Sequence, residues 1–278
     1  MKTTPLIFLV CICGWVLTAC AAPSAPATPT NIPQLSGRLT FAGSTTVQPL
    51  AAQLGQIFQS QYPDIELEIA AGGSSVGIQA AQDGSADIGM ASRSLKDEEK
   101  HNIQEFTIAL DVIAVINNPG NPVKDLKLEQ LKSIYLGETV NWKEVGGKDQ
   151  PIIVVVRDVN SGTRTAFDEL VLNKNEPTAP KIKTAITAGD VVAIVKDDPA
   201  AIGYVGFGNI EESIRPLSIE GFLPTVNSVH DGSYKLIRPL LLISGPLSQQ
   251  PLADTFIQFA LSPEGKRVIE NGGWIPTK

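Results

Sequence analysis

The chain has 278 residues, 43% of them hydrophobic and 18% charged, with 24 Gly, 20 Pro, 3 Cys, 2 His and a formal net charge of −7. Such a length and apolar content suffice to bury a core, and they exclude a disordered chain, a collagen-like repeat and a small disulfide scaffold. The acidic balance excludes broad nucleic-acid binding, which needs a basic face to displace counterions, so any bound anion must be held by local geometry.

The first element is an apolar run over 5–17 (PLIFLVCICGWVL) behind Lys2. It is too short for a bilayer span, which takes about 20 residues, and it suits the core of a signal peptide over 1–19. The tetrapeptide LTAC at 17–20 resembles a bacterial lipobox, which implies that Cys20 carries the lipid and becomes the mature N-terminus. Cys11 and Cys13 would leave with the signal, so the folded body would hold no Cys for a disulfide, a thiolate nucleophile or a metal. Residues 20–35, rich in Ala, Pro, Ser and Thr, then read as an extended tether holding the body off a membrane.

From residue 38 onward short apolar runs alternate with segments of helical spacing. The runs predict strands over 38–42, 65–70, 108–116, 151–156 and 237–243. The spacing predicts helices over 47–60, 75–82, 95–101, 127–135, 162–172, 188–196 and 251–270. This alternation belongs to an α/β fold with a mostly parallel sheet covered on both faces. The runs at 108–116 and 237–243, flanked by turn chemistry, are the places where the chain would pass between two lobes. Lobe one is then 36–111 with 237–278, and lobe two is 112–236.

Three turns share one arrangement, a strand followed by small residues that open a helix: Gly43-Ser44-Thr45-Thr46, the run GGSSVG over 72–77, and the run RDVNSGTR over 157–164. Open α/β sheets place ligands at such strand ends. The first N–H groups of a helix lack intrahelical partners, so several helix starts facing one point make an anion site with few formal cations. Hydroxyls add donors, and Arg157 adds a fork suited to two oxygens of a tetrahedral oxyanion. Taken singly, each turn is more readily an ordinary helix cap. The repeat of Gly203, Gly206 and Gly208 lacks dinucleotide-loop spacing and reads as a turn.

Seven motifs in order, AGSTTVQPL at 42–50, GGSSVGI at 72–78, ADIGMASR at 86–93, NWKEVGG at 141–147, RDVNSGTR at 157–164, AIGYVGFG at 201–208 and RPLLL at 238–242, resemble the substrate-binding lipoproteins of phosphate-specific ABC transporters. The resemblance implies the two-lobed type II periplasmic-binding-protein fold, with a ligand cleft between the lobes. It also implies capture of inorganic phosphate, delivery to membrane permease subunits, and an extracytoplasmic, monomeric protein attached to a bacterial membrane by its lipid alone. Carried over by motif, Ser44, Thr45, Thr46 and Ser74 would bind from lobe one, and Arg157, Ser161, Gly162 and Thr163 from lobe two. Familiar members carry an Asp where this chain has Ser92; that Asp accepts the ligand proton and refuses sulfate. A Ser hydroxyl both donates and accepts, so the residue at 92 leaves selectivity between phosphate and sulfate undecided. Arg93 either reaches the site or forms a surface salt bridge.

Composition argues against an enzyme. The body has His101 and His230 and no Cys or HExxH, and it lacks a carboxylate and His cluster for a metal. No cofactor is expected. The rival readings are a binding protein for sulfate or molybdate, and a phosphate-sensing subunit without transport.

Overall fold

The computed structural model describes residues 35–248 and 250–277. The signal segment, Cys20 and nearly all of the tether therefore lie outside the described residues. Among the described residues no helix is long and apolar enough to cross a membrane.

The chain forms twelve strands and eight helices among these residues. In order they are β1 (Gly37–Gly43), α1 (Gln48–Gln61), β2 (Ile65–Ala71), α2 (Ser74–Asp83), β3 (Ile88–Ala91), β4 (Gln104–Asn117), β5 (Asp125–Leu126), α3 (Leu128–Tyr135), β6 (Ile153–Arg157), α4 (Gly162–Leu170), β7 (Ile182–Ala185), α5 (Ala188–Asp197), β8 (Ala201–Gly206), β9 (Arg215–Pro216), β10 (Ser218–Ile219), α6 (Val226–His230), β11 (Ile237–Ser244), α7 (Gln250–Leu261), α8 (Pro263–Asn271) and β12 (Ile275–Pro276). The main sheet runs β2-β1-β3-β11-β4-β8-β6-β7. Its flanks are parallel, β1 with β2 and β3 on one side and β6 with β7 and β8 on the other. Its middle is antiparallel, because β11 lies between β3 and β4 and β4 pairs β8. The parallel expectation thus describes the two flanks, and the two longest apolar runs are the antiparallel centre.

Strand β4 serves both halves. Its residues from Gln104 to Val112 pair β11, and those from Ile113 to Asn117 pair β8. Both faces of each half are apolar, as strand alternation requires of a sheet covered on both sides. In β11, Leu240 and Leu242 join the core beneath α1 and α7, while Leu241 and Ile243 face the core of α2. In β4, Ile113 and Val115 face the cluster holding Phe167 of α4, and Ala114 and Ile116 face that of α5. All four helix-covered layers therefore fix where the strand ends, and the turns after them, come to lie.

Three sequence expectations change. The predicted helix at 251–270 is two helices, because Ser262 caps α8 through Gly265 N and Pro263 opens it, which no continuing helix allows. The segment 95–101 holds only a 3-10 turn, Asp97–Glu99. The glycine run at 203–208, read as a turn, is instead strand β8 through Gly206, followed by the short turn Phe207–Asn209. The apolar Ile202, Tyr204 and Val205 between those glycines are fully or almost fully buried, which suits a central strand. Gly206 is required: a Cβ there would strike Thr46 Cγ2 and lie 2.6 Å from Asp111 Oδ2.

Candidate functional site

Ser44, Thr45 and Thr46 form the turn leaving β1. Ser74 is the first residue of α2, Ser92 follows β3, and Arg157 ends β6. Ser161 caps α4, and Gly162 and Thr163 open it. All nine are buried. The two flanks of the sheet bring them together from opposite sides.

On the β1 side the hydroxyls form a chain. Ser44 Oγ accepts from Thr46 N at 3.2 Å and donates to Ser92 Oγ at 3.0 Å. Ser92 N donates to Ser74 Oγ at 3.0 Å, and the two hydroxyl oxygens lie 3.4 Å apart. Three contacts then join the flanks. Thr46 Oγ1 meets Thr163 Oγ1 at 3.1 Å, Arg157 Nη2 donates to Thr45 Oγ1 at 3.3 Å, and Ser75 N donates to Asn160 O at 3.1 Å. Gly162 packs so closely that a Cβ would fall on Ser74 Oγ and reach Ser92 Oγ at 3.0 Å. Of the nine residues, eight enter this network. Ser161 borders it, its hydroxyl accepting from Arg164 N at 3.3 Å as the α4 cap.

Arg157 is 1% exposed. Its Nη2 also donates to Ile186 O at 2.7 Å, and its backbone N to the Tyr204 hydroxyl at 3.3 Å. Burial pulls the guanidinium below its ordinary pKa, and Asp158, 3.9 Å away, opposes that. Its Nε is buried with no hydrogen-bond partner among the described residues. A buried charged donor without a partner is costly in a folded protein, and an acceptor oxygen brought to it would remove that cost. The starts of α2 and α4 add N–H groups with no carbonyl a turn earlier to receive them.

Two contributors escape the sequence reading. The first is Ala188, the first residue of α5, whose N donates to Thr45 Oγ1 at 3.4 Å, so a further helix start meets the site. The second is Arg238, 2% exposed, which sits directly opposite Asp111 in the β11–β4 ladder. Its Nε and Nη2 bond Asp111 Oδ2 at 3.1 and 2.9 Å, Nη1 donates to Ser92 Oγ at 3.4 Å, and Nη2 donates to Thr46 Oγ1 at 3.3 Å. Burial pushes the Asp111 carboxyl up while Arg238 pulls it back, and burial pushes Arg238 down while Asp111 supports it. In the sequence Arg238 stood only as the first residue of the RPLLL motif, a charge inside an apolar strand run. Arg93 is 3% exposed and pairs with the half-buried Glu99 at 2.6 and 2.7 Å, and its Nη2 also donates to Ser75 Oγ, next to Ser74, at 3.4 Å. Asp87 clamps Thr40, accepting from its N and Oγ1 at 2.9 and 2.7 Å. Among the described residues no group of His, Cys, Asp and Glu is placed to hold a metal.

Known proteins resemble this chain in sequence and fold. A family model described as a PBP superfamily domain matches residues 22–264. A phosphate-binding protein PstS from Bacillus subtilis is 31% identical, with 99% of this chain and 95% of the relative covered. One from Borreliella burgdorferi is 28% identical, over 86% and 90% of the two chains. Among solved structures, a phosphate ABC transporter substrate-binding protein from Clostridium perfringens, with bound phosphate, superposes with a TM-score of 0.84 at 39% identity, covering 87% of this chain and all of its own. An ABC-type phosphate transport receptor from Vibrio cholerae gives 0.70 at 32% identity, over 86% of this chain and all of that one. The chain therefore belongs to the PBP superfamily and, within it, to the family of phosphate-binding proteins named PstS.

Proposed function

We propose that this chain captures inorganic phosphate in a cleft between two lobes, 36–111 with 237–278 and 112–236, and delivers it to the permease subunits of an ABC transporter. The change of β4 partners between Val112 and Ile113 supports that boundary. Ser44, Thr45, Thr46, Ser74 and Ser92 bind from the first lobe, and Arg157, Ser161, Gly162 and Thr163 from the second. The observation that carries the reading is the buried, partnerless Nε of Arg157 beside hydroxyls from both flanks. Phosphate near neutral pH carries close to two charges, its second pKa being about 6, which suits a guanidinium among helix starts.

The chain acts as a monomeric carrier without catalysis. Both histidines, His101 and His230, are exposed, and the site hydroxyls bond to guanidinium, hydroxyl and backbone groups rather than to a base that would activate a nucleophile. Lipid on Cys20 holds it at the outer side of a bacterial membrane. Calorimetry of the full chain in detergent with phosphate, arsenate, sulfate and molybdate tests the proposal. Phosphate should bind at micromolar affinity or tighter, about −8 kcal/mol or better, and silence toward phosphate ends the proposal.

A further inference from the structure

The hydrogen bonds around Ser92 can be followed proton by proton. A hydroxyl has one proton to give and two lone pairs to receive. Ser92 Oγ receives from Ser44 Oγ and from Arg238 Nη1, which fills both lone pairs. Its own proton must then be donated. If it goes to Ser74 Oγ, that oxygen, already accepting from Ser92 N, is filled as well and passes a proton onward. Either way the chain ends on a proton and not on a lone pair. Thr45 Oγ1 is in the same condition, filled by Arg157 Nη2 and Ala188 N.

The nearby carboxylates are already engaged. Asp111 Oδ1 accepts from Phe207 N at 2.9 Å, and its Oδ2 takes two bonds from Arg238. Asp158 Oδ1 accepts from Asn160 N at 2.8 Å while Oδ2 faces Arg157, and Asp190 Oδ2 accepts from Thr187 N at 2.8 Å. A carboxylate held against a bound anion rejects any guest that brings no proton to share. Hydroxyls facing the same guest turn and donate. Arg238 thus both supplies a second buried cation and commits Ser92 to donating.

Resting on the phosphate reading, we infer that Arg238, braced by Asp111, makes Ser92 a proton donor, so the site selects tetrahedral shape and charge without testing for a ligand proton, and sulfate is a competing ligand. A buried polar group left facing a mismatched guest discriminates by 10⁴ to 10⁵ or so; without such a group the two dianions should differ by about tenfold or less.

The experiment is displacement of radiolabelled phosphate from the full chain in detergent by unlabelled phosphate and by sulfate, at fixed ionic strength and neutral pH. Sulfate should compete within about tenfold of phosphate. Phosphate binding with sulfate weaker by 10³ or more overturns the inference and leaves the phosphate reading standing; failure of both anions to bind overturns both. In Ser92→Asp the sulfate constant should weaken by about 10³ relative to phosphate, and equal loss of the two anions overturns the role given to Ser92. The paired variant Asp111→Asn with Arg238→Gln, which leaves no lone buried charge, should weaken both anions by tenfold or more; unchanged affinities remove Arg238 from the site. Melting curves confirm that the variants are folded, and the wild-type displacement decides the question by itself.

Discussion

Replacing Gly162 by Ala tests how closely the two flanks of the sheet must approach. The residue opens α4 with ordinary helical backbone, so the substitution costs the helix nothing, and alanine is the better helix former by up to about 1 kcal/mol. The added carbon would nevertheless fall on Ser74 Oγ and lie 2.8 Å from Ser74 Cβ, both across the cleft. Relieving the overlap requires the flanks to part by about 1 Å, since carbon atoms rest at about 3.5 to 4 Å. That parting carries the Thr46–Thr163, Ser75–Asn160 and Arg157–Thr45 contacts, now 3.1, 3.1 and 3.3 Å, beyond hydrogen-bond range. At about 1 kcal/mol each, three lost bonds amount to about 3 kcal/mol, or roughly 10²-fold in affinity. Calorimetry with phosphate reads the affinity, and a melting curve without ligand reads stability. We expect weak binding together with a ligand-free melting temperature lowered by the loss of the same three contacts. Affinity within threefold of wild type would refute the claim that the approach of Gly162 to Ser74 governs the site.

Arg157→Ala should weaken phosphate by about 10² to 10⁴, the loss of two charged hydrogen bonds at about 1.5 to 3 kcal/mol each, measured by the same calorimetry. Arg157→Lys should recover only part of it, because an ammonium lacks the planar fork. Asp168, on α4, is pushed up to about 6 by burial, against the pull of Arg164. Its folded state therefore holds a proton that the unfolded chain has released, and stability should fall as pH rises from about 4 to 6 through this group. Asp168→Asn should flatten that slope in melts taken at successive pH values, and an unaltered slope would assign it elsewhere. Cys20→Ser should move the protein from the membrane to the soluble fraction; retention on membranes would contradict a lipid anchor at that residue.

The sequence made the strand-turn-helix units legible because each turn carries its own chemistry. Gly43 to Thr46, Gly72 to Ser75 and the run from Arg157 to Arg164 are read locally, and the structure sets each at a strand end. What local reading cannot supply is the partner across the sheet. Arg238 looked like a charge in an apolar strand until the ladder placed it opposite Asp111. Gly206 looked like turn glycine because its reason is a distant one, the crowding of Thr46 and Asp111 against β8. Arg93 was ambiguous for the same cause, since its partner Glu99 lies six positions on in a short turn that the helical spacing had assigned differently. The order of strands was likewise out of reach, because β11 comes from the far end of the chain and enters between β3 and β4.

That late insertion bears on the order in which the chain can assemble. Residues 112–236 are contiguous, and their ladder from β8 through β6 to β7 needs only the end of β4 besides. The other half has no β3–β4 contact to close its sheet until β11 arrives, so its amino-terminal portion must wait with an open seam while more than a hundred residues pass. A chain emerging amino-terminus first would complete its middle before its beginning, and any chaperone meeting it would find the unfinished edges of β3 and β4 as its target.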